Sequence, residues 1–312
     1  MRLLVTGGTG FLGAPLCRAL AQQGHEVMVL SRRVPPPPVG GPIRVVSWDD
    51  PAWTVALSEA DAVINLAGEP IAARRWSPPQ KRAIRESRVS ATRRLIEAMA
   101  QGAARPRVLV SASATGYYGP RGDEELDEQA PPGRGFLAET CQAWEAEARR
   151  AEPLGVRVVR ARIGLVLGPG GGALAKMVPP FRAFIGGPLG SGRQWMSWVH
   201  RDDVIGLIAW SLTRADVAGP LNVTAPAPVT MRAFCAELGF ALHRPSWAPV
   251  PAPMLRLLLG EMAQELLLSG QRVVPRAASH RGYRFQFAQL EPALAAALRR
   301  DGLANETGRE YG

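Results

Sequence analysis

Three glycines, Gly7, Gly10 and Gly13, stand at Gly-x-x-Gly-x-x-Gly spacing directly after the apolar run Leu3-Leu4-Val5-Thr6. That pattern suits a pyrophosphate. Glycine permits a tight turn and lets the backbone approach the anion, and a helix starting there aims free N–H groups and its positive dipole end at the charge. A second apolar run, Glu26 to Leu30, ends in Ser31-Arg32-Arg33, and no carboxylate occurs between Glu26 and Asp49. An acid at this strand end would hold a ribose 2′-hydroxyl, whereas an arginine fork grips a 2′-phosphate. The expected ligand is therefore NADP(H), with Ser31, Arg32 and Arg33 around the 2′-phosphate. Read blandly, the two arginines are ordinary surface cations.

The elements that must position these groups alternate along the first half of the chain. Strands are expected at Leu3 to Thr6, Glu26 to Leu30, Ile43 to Ser47, Asp61 to Leu66, Arg107 to Ser113 and Val156 to Ala161. Helices are expected from Phe11 to Gln23, from Pro78 to Gln101 with Ile84, Ala91, Leu95 and Met99 on one face, and from Phe136 to Arg150 with Leu137, Cys141, Trp144 and Ala148 as its stripe. This alternation gives an α/β fold, a doubly wound parallel sheet whose ligands bind at the C-terminal strand ends. Pro35 to Pro38 read as a rigid loop. The Gly- and Pro-rich composition beyond Gly168 marks a smaller substrate-side domain over 168–312. Residues 1–167 form the nucleotide-binding domain, to which 195–225 returns. Glu306 to Gly312 read as a frayed tail.

Composition narrows the class. The chain has 312 residues, 46% of them apolar, enough for a sizeable core. Its net charge of +10 invites a nucleic-acid reading, yet Lys81 and Lys176 are the only lysines and the arginines are scattered. Nucleic acid is not the expected partner, although a basic surface attracts phosphate-bearing ligands. Cys17, Cys141 and Cys235 are odd in number and far apart, so neither a disulfide framework nor a metal site is expected. No leader or membrane-spanning run is evident, and a cytoplasmic, reducing location is the expectation.

Several long motifs, in order, carry a family resemblance. They are Thr6-Gly7-Gly8-Thr9-Gly10-Phe11-Leu12-Gly13, Asn65-Leu66-Ala67-Gly68-Glu69, Arg74-Arg75-Trp76, Ser113-Ala114-Thr115-Gly116-Tyr117-Tyr118-Gly119, Gly186-Gly187-Pro188-Leu189-Gly190-Ser191-Gly192, Trp198-Val199-His200-Arg201-Asp202-Asp203 and Leu266 to Pro275. The chain resembles the extended short-chain dehydrogenase/reductases. More narrowly, it resembles their atypical epimerase-like branch, which has its own C-terminal domain and is often labelled nucleoside-diphosphate-sugar epimerase. The resemblance implies a Rossmann-type domain. It implies Thr9, Gly10, Phe11 and Leu12 at the pyrophosphate, Ser31 and Arg32 at the 2′-phosphate and Asp49 near the adenine. Leu66, Ala67 and Gly68 would line the groove, Arg88 would reach the cofactor, and Ile163 would lie near the nicotinamide. Homodimers through the two long helices are common among such proteins.

The resemblance also exposes a gap. Active members of the wider superfamily pair a serine with Tyr-x-x-x-Lys one helical turn apart, the tyrosine moving the proton. Ser113 fills the serine position. The helix that should carry the pair reads Phe136-Leu137-Ala138-Glu139-Thr140-Cys141, and neither lysine has a tyrosine four residues before it. Tyr117, with Arg121 four residues on, is a substitute proton donor, with Ser113 orienting the substrate. Alternatively the loop tyrosines pack and gate the pocket. His200 is a weaker candidate, read first as a structural histidine that anchors sheet to helix. Trp195 and Trp198 could stack on a planar or sugar ligand or equally be core, and Asp202 is expected to cap a helix. Two functions follow: an NADP(H)-dependent oxidoreductase or epimerase acting on a small hydroxyl- or carbonyl-bearing molecule, or a non-catalytic NADP(H)-binding redox sensor.

Overall fold

The computed structural model describes residues 1–32 and 43–299. Arg33, the Pro35–Pro38 loop and the Glu306–Gly312 tail lie outside the described residues.

Seven strands form one parallel sheet: β1 (Arg2–Thr6), β2 (Glu26–Ser31), β3 (Ile43–Ser47), β4 (Ala62–Asn65), β5 (Val108–Ala114), β6 (Arg157–Ile163) and β7 (Gly219–Val223). Their spatial order is β3-β2-β1-β4-β5-β6-β7, so the winding reverses between β1 and β4. Beyond the strand ends at this reversal a crevice opens where such sheets take their ligands. The strands are near-continuous in β-branched and aliphatic residues because both faces are covered. One face packs α1 (Gly13–Gln22) and α6 (Arg201–Thr213) through Leu16, Cys17, Leu20, Val204 and Leu207. The other packs α2 (Ala52–Glu59), α3 (Pro78–Gln101) and α4 (Phe136–Arg149) through Trp53, Leu57, Leu95, Met99 and Ala148.

A separate core forms the C-terminal lobe. Leu174, Val178 and Phe181 of α5 (Leu174–Arg182) meet Phe234 and Leu238 of α7 (Met231–Leu242), and Leu294 of the last helix (Leu290–Arg299) joins them. Helices α8 (Ala252–Leu259) and α9 (Glu261–Leu266) then bring the chain back over the C-terminal ends of the strands.

Three local details differ from the sequence reading. Helix α2 was not anticipated; Asp50 caps it through the Ala52 N–H at 2.9 Å, and Trp53 and Leu57 alone face its core. Helix α5 forms despite Pro179 and Pro180 inside it, its apolar face being buried in the lobe. Asp202 does not cap α6. The helix starts two residues earlier, at Arg201, and the His200 side chain takes the cap role, Nδ1 accepting from the Asp202 N–H at 3.2 Å.

Candidate nucleotide and substrate site

The glycine turn is closed by backbone against backbone. A Cβ on Gly13 would lie 2.1 Å from the Gly7 carbonyl oxygen, and one on Gly7, whose φ is +68°, would lie 2.7 Å from the Leu66 carbonyl oxygen. Helix α1 then begins at Gly13 with no side-chain cap; the Ala14 N–H already donates to the Gly10 carbonyl at 3.0 Å, so the N–H groups of Gly13 and of the turn just before it are the ones that face an anion. Thr9 and Leu12 are half-buried, and Gly10 sits exposed at the tip. Phe11 wedges against the second glycine-rich loop, where Cβ atoms on Gly171 and Gly172 would meet its ring at 2.8 and 2.9 Å. Arg201 covers the same ring at 5.4 Å. Those glycines are small because Phe11 needs the space.

A buried polar chain fixes the β1–β4 crevice from below. Thr6 donates to Asn65 Oδ1 at 2.7 Å and accepts from the Ala67 N–H at 3.2 Å. The Asn65 amide donates to Thr92 Oγ1 at 2.8 Å and Ser111 Oγ at 3.3 Å, and the Trp144 indole donates to Thr92 Oγ1 at 3.0 Å. This sets the floor that Leu66 and Ala67 line. Gly68 is small for the same reason as Gly171: the Arg88 guanidinium stands 3.0 Å from where its Cβ would be. Arg88 donates to the Ile84 carbonyl at 2.8 Å and lies over the Trp144 ring, and burial pulls its pKa below the usual value.

At the outer end of the crevice Ser31 is buried at the end of β2, Arg32 is exposed beside it, and Asp49 is exposed just past β3. Ile163 closes β6 at the opposite flank, half-buried. The glycine turn, the open α1 N-terminus and the absence of an acid after β2 among the described residues together fit a dinucleotide carrying a 2′-phosphate.

The loop after β5 holds the catalytic candidates. Ser113 is buried and donates to Glu145 Oε1 at 2.8 Å. Arg162 clasps the same carboxylate with two bonds, Nε to Oε1 at 2.8 Å and Nη2 to Oε2 at 3.0 Å. Burial alone would lower the Arg162 pKa, but the Glu145 bonds outweigh it and hold the guanidinium above its ordinary value. Arg162 also donates to the Tyr118 hydroxyl at 2.9 Å, and that hydroxyl donates to Asn222 Oδ1 at 2.7 Å. Tyr118 is fully buried, and burial pushes its pKa up to about 12. Tyr117 differs: it is half-buried, its ring covers the Arg162 guanidinium at 3.5 Å, and its hydroxyl has no partner among the described residues.

Helix α4 presents Leu137 and Cys141 where the tyrosine and lysine would stand in one register, and Phe136 and Thr140 in the other. Leu137 packs on Gly116, and Phe136 sits edge-on to Trp76 at 4.9 Å under the Lys81 ammonium. The weaker candidates are structural in geometry. His200 is buried against Phe287 at 4.0 Å, Trp198 is buried and donates to the Ala227 carbonyl, and Trp195 donates to Asp123. Sequence reasoning missed Thr92, Glu145, Arg162 and Glu265. A buried ion pair has no periodic signature, and only the three arginines inside the apolar run Val156 to Ile163 (Arg157, Arg160 and Arg162) hinted at one.

Fold and site together define a Rossmann-type dinucleotide-binding protein of the extended short-chain dehydrogenase/reductase class. The chain belongs to the NAD dependent epimerase/dehydratase family, whose model matches residues 3–224; residues 250–297 match DUF1731, a domain of unknown function. It is 43% identical to the chloroplastic epimerase family protein SDR39U1 homolog of Arabidopsis thaliana, over 96% of this chain and 87% of that protein. The crystal structure of human epimerase family protein SDR39U1 (isoform 2) with NADPH superposes with a TM-score of 0.87 at 36% identity, covering 96% of this chain and 99% of that one. The nucleoside-diphosphate sugar epimerase of Corynebacterium glutamicum gives a TM-score of 0.75 at 33% identity, over 97% of this chain and 59% of that one.

Proposed function

We propose that this protein binds NADP(H) and exchanges hydride with a small hydroxyl- or carbonyl-bearing molecule. The observation that carries the reading is the closed Gly7–Gly13 turn below an uncapped helix start, with Ser31 and Arg32 and no acid at the end of β2. The NADPH held by the human relative supports the same cofactor. The backbone from Thr9 to Leu12 meets the pyrophosphate, Arg32 the 2′-phosphate, and Arg88, Leu66, Ala67, Gly68 and Ile163 shape the groove. When bound, the cofactor supplies or accepts the hydride.

The proton is the harder part. Leu137 and Cys141 leave α4 without a proton donor suited to the usual chemistry. Tyr118 is excluded by burial and two bonds, which leaves Tyr117 as the donor. Ser113 already donates to Glu145, so it orients a substrate hydroxyl by accepting from it.

A titration with NADPH and NADH, followed by nicotinamide fluorescence, tests the cofactor reading. NADPH preference that falls about ten- to a hundredfold in Arg32→Ala, as the loss of charge-assisted bonds implies, supports it; equal binding of both nucleotides in the native chain overturns it. NADPH oxidation across a carbonyl panel then tests turnover. The second reading, a redox sensor, is favoured by the apolar residues on α4. It expects tight NADPH binding without turnover and a partner whose capture depends on the nucleotide.

A further inference from the structure

The N-terminus of α4, where a catalytic tyrosine would stand, is capped from far along the chain. Glu265 of α9 accepts from the Phe136 N–H at 2.8 Å through Oε1 and from the Leu137 N–H at 2.9 Å through Oε2. Its carboxylate takes the space beside Gly135, whose φ is +105° and whose Cβ would lie 2.9 Å from Oε1. The negative charge suits the positive end of the helix. The cost is space: the cavity between Gly116, Arg134 and Leu137 on one side and Glu265, Ser269 and Gln271 on the other leaves about 10 Å³ for the centre of a water molecule. That is room for about one water, so the cavity as it stands is too small for a sugar ring or a comparable carbonyl compound.

The α8 half of the segment that carries Glu265 is lightly held, while α9 itself buries Met262 and Ala263. Helix α8 buries only Leu255 and exposes Met254, Leu257 and Leu258. Gly260, with φ +62° and ψ −134°, joins α8 to α9 in a conformation that favours glycine. Apart from Glu265, the polar ties of this stretch to the rest of the molecule include the exposed Lys81–Glu261 pair at 2.8 Å and Gln194 donating to the Leu267 carbonyl at 2.6 Å. At the far end Gly270 is wedged against the Trp195 carbonyl, 2.0 Å from where a Cβ would be, which anchors the chain there.

We propose that residues 251–269 form a lid and that Glu265 is its latch: seated on α4, the carboxylate closes the mouth beside Leu137, and its release uncovers the mouth. The lid is argued from this geometry alone; only its consequence, admission of a substrate, rests on the function proposed above.

Hydrogen exchange of the full chain without nucleotide, read by mass spectrometry, tests it apart from any activity. In the native chain the amides of Phe136 and Leu137 should exchange in step with 251–269 and faster than β1 and β4. Glu265→Ala should speed both regions about tenfold or more, with Glu265→Gln between, while β1 and β4 keep their protection. Amides at 136 and 137 as slow as the core sheet in the native chain would overturn the lid, a result that needs no variant. Unchanged rates in Glu265→Ala would overturn the latch, and a uniform rise through the sheet would show a plain structural cap instead.

Discussion

Arg162 and Glu145 face each other across the β6–α4 packing layer in a two-bond clasp at 2.8 and 3.0 Å, both side chains almost wholly buried. The clasp joins the two halves of the candidate catalytic region, since Ser113 donates to Glu145 while Arg162 holds the Tyr118 hydroxyl and lies against the Tyr117 ring. Removing Glu145 leaves the buried Arg162 without its counter-charge, and removing Arg162 leaves the buried Glu145 with only the longer Arg160 contact at 3.5 Å as counter-charge. Glu145→Gln should therefore cost about 3–5 kcal/mol in chemical denaturation, and Arg162→Met a similar amount. The double variant should recover much of the loss. Strict additivity of the two single losses would show that the pair is not coupled.

The two tyrosines should separate cleanly. Tyr118→Phe strands Asn222 and one arm of Arg162, so about 1–3 kcal/mol of stability should be lost. Tyr117→Phe removes a hydroxyl with no partner among the described residues, and the melting temperature should stay within a degree or two of native, about 0.5 kcal/mol. On a substrate found by the carbonyl panel, the same change should lower turnover about a hundredfold or more if Tyr117 gives the proton. Undiminished turnover would assign the tyrosine to packing.

Gly13→Ala places a methyl group against the carbonyl oxygen of Gly7 and the Cα of Gly8, both backbone atoms that cannot rotate away. The turn must widen. Overpacking of this kind costs about 1–3 kcal/mol, and nucleotide affinity should fall more than stability does. A thermal melt beside a fluorescence titration separates the two effects. Native-like affinity in the variant would mean that the turn does not hold the pyrophosphate.

Three buried thiols should make stability fall on the alkaline side. Burial pushes Cys17 up to about 12, and Cys141 and Cys235 up to about 11, from an ordinary value of 9.0. Below pH 9 both folded and unfolded chains keep these protons. Above it the unfolded chain releases them first, so each thiol lowers stability as pH rises from 9 towards its folded value, by at most about 1.4 kcal/mol per pH unit. Urea titrations at pH 8.5 and 10.5 should show the decline, and Cys235→Ala should flatten it. An equal slope in that variant would remove Cys235 from the account.

The strand–turn–helix start and the strand alternation were legible because each is a local statement. A strand buried on both faces needs an unbroken apolar run, and a helix starting at a phosphate needs glycine where backbones touch, so Leu3 to Gly13 carries its own geometry. The acid-free strand end at Ser31 and Arg32 likewise reads off the chain. Helix α2 was missed because its short stretch carries only two core-facing residues, and α5 because tertiary burial overrode the two prolines.

What only the tertiary structure decided lies between distant segments. Ser113 meets Glu145 across 32 positions, Tyr118 meets Asn222 across 104, and Glu265 reaches Leu137 across 128. Each such contact depends on two elements arriving at one place with complementary charge or hydrogen-bonding groups, and no spacing along a single segment encodes that. The sequence by itself therefore determined a nucleotide-binding sheet and the absence of Tyr-x-x-x-Lys. The fold decided which of Tyr117 and Tyr118 has a partner for its hydroxyl among the described residues, which serine lone pairs remain, and which carboxylate caps α4.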